Sequence, residues 1–392
     1  MYSLLSLEKK YNYIIQGAGA SGLWLAYWLH KEGLLDDKTL LIVECDKSKQ
    51  NDRTWCFWGD ALIQDLSFVD FSWSQVQVFG ESQRIDPYTY HHCRSEAFYA
   101  FVENALASSG HIDWCFGRVT SNSQIGGRVS VNIQIDNDAG VENLNVAAEW
   151  FFGSGGASVK TSEIGLWQSF VGWRVKSKSG ETIFDSAACT LMDFRIEQGG
   201  KTRFLYVLPF SGDEALIEVT QFDKEILGLE EGQRMLKEIC DKRGWDISMI
   251  EVEHNAIPMS SIFDASERFH AADTRIVPLG VAAGALKPTT GYGFLRMMQH
   301  GHSIALALKS NELIPTIYRK RRFRFYDDLL LRILQKHPNR GKQIFDQLFQ
   351  HQRASTVLRF LNEKTNLLQE IVIFSWLPKR LFLRTLFAKW MN

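Results

Sequence analysis

The chain has 392 residues, 45% hydrophobic and 23% charged, enough for two domains or one large two-part enzyme around a substantial core. Six cysteines, at 45, 56, 93, 115, 189 and 240, form no CxxC pair and lie near no paired histidines, which argues against a disulfide framework or a zinc site and for reduced thiols in a cytosolic protein. The net charge of −1 is uneven: Tyr318 to Asn392 holds 16 Lys plus Arg against 5 Asp plus Glu, a +11 block on an otherwise acidic chain, pointing to an anionic partner.

In chain order, the start MYSLLSLEKK lacks the features of a signal peptide. Tyr11–Ile15 is a β-prone apolar run. A glycine-rich turn follows, then a helix ending near Gly33, then a second run, Thr39–Val43, closed by Glu44. Residues 70–100 predict short strands, and Ser95–Ala107 a helix. The alternation in RVSVNIQI (128–135) predicts paired strands. FVGWRV (170–175), FLYVLPF (204–210) and EALIEVTQF (214–222) predict a second sheet, and Glu225 to Arg243 a helix. RIVPLG is a short strand before a glycine-rich stretch and a helix, and beyond 312 the chain reads as mostly helical. No stretch of about 18 uncharged apolar residues occurs, so no spanning helix is predicted.

Gly17-Ala18-Gly19-Ala20-Ser21-Gly22 is a GxGxxG that follows a strand, opens a helix and precedes an acid, Glu44, 22 residues after Gly22. Gly17 allows the tight turn, Gly19 a close pyrophosphate and Gly22 close helix–strand packing, while Glu44 would accept from ribose hydroxyls. A second glycine-rich segment runs Gly280-Val-Ala-Ala-Gly284, then Lys287-Pro-Thr-Thr-Gly291-Tyr292-Gly293-Phe294. A strand, turn and helix there resemble the flavin-side loop of glutathione-reductase-like FAD folds. The fold class expected is therefore α/β (α+β). A discontinuous Rossmann-type FAD domain (1–75, 95–160, 272–310) would carry an antiparallel-sheet substrate insertion (76–94, 161–271) and a helical, basic C-terminal region (311–392).

Asn51-Asp-Arg-Thr-Trp-Cys-Phe-Trp58 resembles the NDRTWCFW stretch of bacterial lycopene cyclases. Phe204–Phe210 followed by Leu216-Ile-Glu-Val-Thr220 resembles that family's F-L-E-E-T motif, and LMDFR (191–195), IPM (257–259), KPTTGYGF (287–294) and FYDDLLLRIL (325–334) fit it in order. Val219 stands where the family often has a second acid, so the resemblance puts the acid role on Glu218. Many flavin hydroxylases of this fold carry an Asp in the segment that here reads Pro278-Leu279-Gly280, which favours a cyclase over a hydroxylase.

The resemblance implies a redox-neutral cyclisation of the linear ends of lycopene to β rings, giving γ- and β-carotene. FAD would act in its reduced form, with NAD(P)H as the reductant. It implies cofactor contacts at Gly17, Ala18, Gly19, Ala20, Ser21, Gly22, Glu44, Arg53, Val119, Gly280, Gly291, Tyr292, Gly293 and Phe294. Trp173, Tyr206, Phe210 and Tyr292 are candidates for stabilising a cation at the substrate. A proton donor to an alkene must be a carboxylic acid kept neutral, which burial of Glu218 in an apolar strand would achieve. The Phe-, Leu- and Trp-rich basic segment Ile371–Trp390 suits peripheral attachment to the cytoplasmic leaflet, with no nucleic acid or metal as partner. Alternative readings are a redox flavoenzyme of the same fold (an isoprenoid reductase or hydroxylase) and a non-catalytic prenyl-lipid-binding protein.

Overall fold

A computed structural model describes residues 10–47, 50–59, 67–137, 140–154, 165–261 and 274–390, and the side chains of all of these but 137 and 388–390. The amino-terminal nine residues, read above for targeting signals, lie outside them.

The first sheet has a parallel core in the order Ile112–Phe116, Leu40–Glu44, Lys10–Gln16, Gly140–Gly153, with Ile276–Pro278 also paired to Gly140–Gly153. Arg128–Asn137 and Arg118–Ile125 extend it antiparallel. Its strand Leu40–Glu44 is buried throughout and Tyr13–Ile15 of the neighbouring strand is buried too, as expected where helices cover the sheet. Helices Ala20–Lys31, Ser95–Leu106 and Phe294–Lys309 supply that cover, and Trp24, 1% exposed, is ringed by Phe68, Phe98, Phe101 and Phe294. The parallel register brings the glycine turns after Gln16 and Pro278 to the same end of the sheet. There Leu279 N–H donates to the Gly153 carbonyl at 2.7 Å and Ser154 N–H to that of Gln16 at 3.1 Å.

The second sheet is ordered Ile247–Pro258, Trp167–Ser177, Glu214–Asp223, Thr202–Pro209, Cys189–Asp193, Gln75–Val78, Glu81–Arg84. One face packs Val171, Val175, Leu205 and Ile217 against helix Leu229–Arg243. The other carries Phe204, Tyr206, Leu216 and Phe222 into the largest apolar core, shared with the carboxy-terminal helices. Those helices are Arg321–Lys336, Gly341–His351, Ala354–Leu361, Leu367–Trp376 and Lys379–Trp390. Phe345 stacks on Phe194 at 5.3 Å, and a Cβ at Gly341 would sit 1.9 Å from Thr202 Oγ1, so the helices rest tightly on this sheet. A small third sheet, Thr54–Gly59, Thr89–Arg94 and Phe71–Trp73, lies between the other two units.

Candidate active site

The fingerprint turn has the shape a dinucleotide requires. Gly17 takes φ +91°, and a Cβ at Gly22 would lie 2.0 Å from the Gly17 carbonyl oxygen, so the helix packs there without side chains. A Cβ at Gly19 would meet nothing within 4 Å, which leaves open space over an N-terminus that no side chain caps. Ser21 Oγ is buried without a hydrogen-bond partner and lies 2.9 Å from the Cβ position of Gly280, so the two glycine turns meet there. Glu44 is buried. Its Oε2 accepts from Ala18 N–H at 2.8 Å, and its Oε1 from Cys45 and Asp46 N–H at 2.8 and 3.1 Å. An uncapped helix N-terminus beneath open space at Gly19, an orphaned hydroxyl at Ser21 and a carboxylate closing the next strand fit a dinucleotide.

The remaining cofactor candidates divide. Gly280 and Gly291 take φ +60° and +71° in the second turn, and the neighbouring Thr290 Oγ1 is buried without a partner. Phe294 is 3% exposed in the aromatic core with Trp55 and Phe57, so its ring is structural and only its backbone faces the turn of Gly293. Val119 lies two residues past Gly117, whose N–H donates to the Glu44 carbonyl at 2.9 Å. Arg53 is exposed, and its backbone N–H donates to Ser95 Oγ at 3.1 Å.

Glu218 lies on an inner strand of the second sheet, Glu214–Asp223. Directly opposite it are Tyr206 on one side and Gly172 on the other, and opposite Gly172 is Glu253. Paired residues share a face, so Tyr206, Glu218 and Glu253 project into one space, and glycine at 172 leaves room between the acids. A Cβ there would lie 2.7 Å from Glu253 Cγ and Oε1. Glu218 retains some accessible surface yet is enveloped by protein, so what it faces is interior space. Thr220 Oγ1 donates to Glu218 Oε1 at 2.6 Å, and Thr54 Oγ1 to Glu253 Oε2 at 3.0 Å. The two carboxyls act on each other, and Glu253 Oε1 has no hydrogen-bond donor among the described residues. Burial first, then the neighbouring carboxylate, holds Glu218 well above the usual range, and burial raises Glu253 too. Among the described residues no lysine or arginine forms an ion pair with Glu218.

Aromatic groups close the space. Tyr292 Oη lies 2.9 Å from Tyr90 Oη and 3.3 Å from Tyr206 Oη, and Trp58 meets Tyr292 edge-on at 4.5 Å. Burial pushes all three phenols upward, so they stay neutral hydrogen-bonding groups. The expectation for Trp173 is corrected: it pairs with Ile217 and Val252 and so points to the opposite face, toward helix Leu229–Arg243. Phe210, beyond the end of its strand, stacks on Phe71 at 4.5 Å. Sequence reading missed Glu253, Thr54, Tyr90 and Trp58. Thr54 and Trp58 lie inside the NDRTWCFW stretch, and Glu253 lies five residues before Pro258 of the IPM motif.

Behind the Lys287–Gly291 turn is a second buried cluster. Lys287 Nζ is 2.9 Å from Asp327 Oδ1 and 3.3 Å from Glu363 Oε1, Arg296 Nη2 is 2.9 Å from Glu363, and Arg319 bridges both acids. It ties the turn to helix Arg321–Lys336 and to the loop at Glu363. Beside it an apolar cavity of about 370 Å³ runs from Thr289 and Thr290 past Leu330, Phe360 and Phe374 to exposed Leu383.

The parallel sheet with its glycine turns, joined to a second mixed sheet, defines a class of dinucleotide-binding α/β folds. Solved structures share this fold across nearly the whole chain. A geranylgeranyl bacteriochlorophyll reductase-like protein from Thermoplasma acidophilum has TM-score 0.61 and 14% identity, covering 95% of this chain and 98% of its own. A flavoprotein/dehydrogenase from Cytophaga hutchinsonii has TM-score 0.58 and 14% identity, covering 94% and 100%. Within that class the chain belongs to the lycopene cyclase protein family, whose sequence model matches residues 12–387. Lycopene beta-cyclases from Pseudescherichia vulneris and Pantoea ananas are similar to it. The first is 25% identical over 71% of this chain and 69% of its own length, the second 23% identical over 73% and 72%.

Proposed function

We propose that this protein is a lycopene β-cyclase that closes β rings at the ends of a linear carotenoid without net redox change. The observation that carries this reading is the placement of a carboxyl, Glu218, on one face with Tyr206 in an aromatic-lined interior, where burial raises it well above the usual carboxylate range and no described cation pairs with it. Glu218 gives its proton to the terminal alkene, forming a tertiary cation. The neighbouring double bond attacks that cation and closes the ring, and loss of a ring proton to a carboxylate restores the acid. The faces of Tyr206 and Tyr292 and the edge-packed Trp58 exclude water that would trap the cation. Residues Gly17–Gly22, Glu44 and the Gly280 and Gly291 turns would hold FAD. When bound and reduced, with NAD(P)H as the electron source, FAD would supply negative charge that stabilises the developing cation.

The substrate is a membrane-dissolved hydrocarbon, and the carboxy-terminal surface suits its source. Leu368, Ile371, Val372 and Trp376 are exposed along helix Leu367–Trp376. Leu383 and Phe387 are exposed beside Lys379, Arg380 and Arg384 on the next helix. Among the described residues no helix is long and apolar enough to cross a membrane. An apolar stripe among cations is the pattern of a helix lying in an anionic interface. The apolar cavity would lead one carotenoid end inward from that surface. The reading is tested with anaerobically reduced protein, FAD and lycopene in anionic liposomes. It expects γ- and β-carotene by chromatography with no net reductant consumed. Consumption of reductant or oxygen in step with product would replace it with a redox flavoenzyme.

A further inference from the structure

We propose that Glu218 and Glu253 act as one carboxylic acid–carboxylate pair holding a single proton, with Glu253 the positioning residue that keeps this proton on Glu218 until it passes to the alkene. The inference deepens the cyclase reading and rests on it for the substrate. Its basis is geometric. Three strands place Glu218, Gly172 and Glu253 in one row, and only glycine at 172 lets the Glu253 side chain reach across. The outer oxygens are each taken by a threonine, leaving Glu253 Oε1 without a donor. Two ionised carboxylates offer four acceptors and no donor, so a proton between them is the arrangement that satisfies the inner oxygen.

The surrounding groups leave this proton unchallenged. Cys56 faces the pair from the small sheet and Tyr206 from the neighbouring strand, Tyr292 and Tyr90 lie behind Tyr206 in a chain of hydroxyls, and burial keeps all four neutral. His92 reaches Glu253 through space but lies 3.4 Å from Asp70, while Glu251 adds further negative charge. With a neutral substrate the pair therefore carries one negative charge. Protonating the alkene breaks the Glu218 O–H bond and makes a C–H bond, leaving two carboxylates and one carbocation. The net charge of the site is unchanged. Ring closure moves an alkene electron pair to the cation, and loss of a ring proton re-forms the O–H bond, so no electrons leave.

The test is an infrared pH titration of the full-length protein, following the carboxylic acid C=O band, beside the pH profile of lycopene cyclisation. Wild type should keep one such band above neutral pH, and Glu218→Gln should remove it. In Glu253→Gln, Glu218 should ionise at least about one pH unit lower, and the high-pH limb of activity should fall by the same amount. Gly172→Ala keeps both acids but displaces Glu253, and should produce a shift of the same sign. If Glu253→Gln changes rate or stability while Glu218 ionises at its wild-type pH, the pair is wrong. The titration needs no substrate. A pair that titrates as described in a protein that leaves lycopene intact overturns the cyclase reading alone, whereas cyclisation with an unmoved profile overturns the pair alone.

Discussion

Two pairs of buried carboxyls flank the same glycine turn and meet opposite fates. Glu218 and Glu253 face each other, tyrosines and threonines, and both are driven toward the protonated form. Asp327 and Glu363 are as deeply set but meet Lys287, Arg296 and Arg319. Burial opposes ionisation of Glu363 too, yet those three cations overcome it and hold it at about 2. Burial alone does not decide whether an acid keeps its proton; the neighbours do. In the proposed reaction the first pair is the proton source, while the second ties the Lys287–Gly291 turn to the carboxy-terminal helices.

Substitutions that erase either environment sharpen this contrast. The largest effect is expected for Glu218→Gln, which should lower β-ring formation by about 10²–10⁴-fold while FAD still binds. It should also raise stability above neutral pH. An acid whose pKa is raised on folding contributes its stability below its unfolded value and loses it as pH rises through the folded one. Melting curves of the variant should therefore match wild type in acid and exceed it increasingly toward alkaline pH. Glu363→Gln should do the reverse. A depressed acid stabilises above its unfolded pKa and loses this as pH falls through the folded value. A shift from 4.5 to about 2 corresponds to about 3 kcal/mol at neutral pH, and denaturant unfolding should show the deficit closing below about pH 4.

Smaller effects test the rest of the site. Gly19→Ala has open space for its Cβ, so the apoprotein should melt as wild type. That methyl would occupy dinucleotide space, and fluorescence titration should show FAD affinity reduced by about 1–3 kcal/mol. Trp173→Phe, on the face away from the acids, should leave cyclisation within about twofold and stability within about 1 kcal/mol. A large loss of activity there would place the substrate on the wrong side of the sheet.

Local pattern made much of the fold legible. The strand, turn, helix, strand unit, observed as Lys10–Gln16, Ala20–Lys31 and Leu40–Glu44, follows from apolar periodicity and glycine placement. The strands carrying Trp173, Tyr206 and Glu218 were readable from their β-branched and aromatic runs, and the helix expected from Glu225 begins only at Leu229, after Gly228. Strand Ile247–Pro258 was not readable. It is an edge strand with Met249, Ile250 and Val252 exposed, so its apolar residues do not alternate with a buried face. Glu253 was missed with it.

The sequence by itself determined the dinucleotide turn, with its acid 22 residues on, and the motifs of the family, because these depend on residues near one another in the chain. It placed an acid at 218. What that acid faces was decided by tertiary structure alone. The register of three strands sets Glu253 across a glycine from Glu218, although the two are 35 residues apart in sequence, and Thr54 is brought in from a different sheet. The same alternation turns Trp173 away from the site. Register is fixed by which faces find apolar partners, a property of the assembled sheet and the helices on it, and no single stretch of the chain contains it.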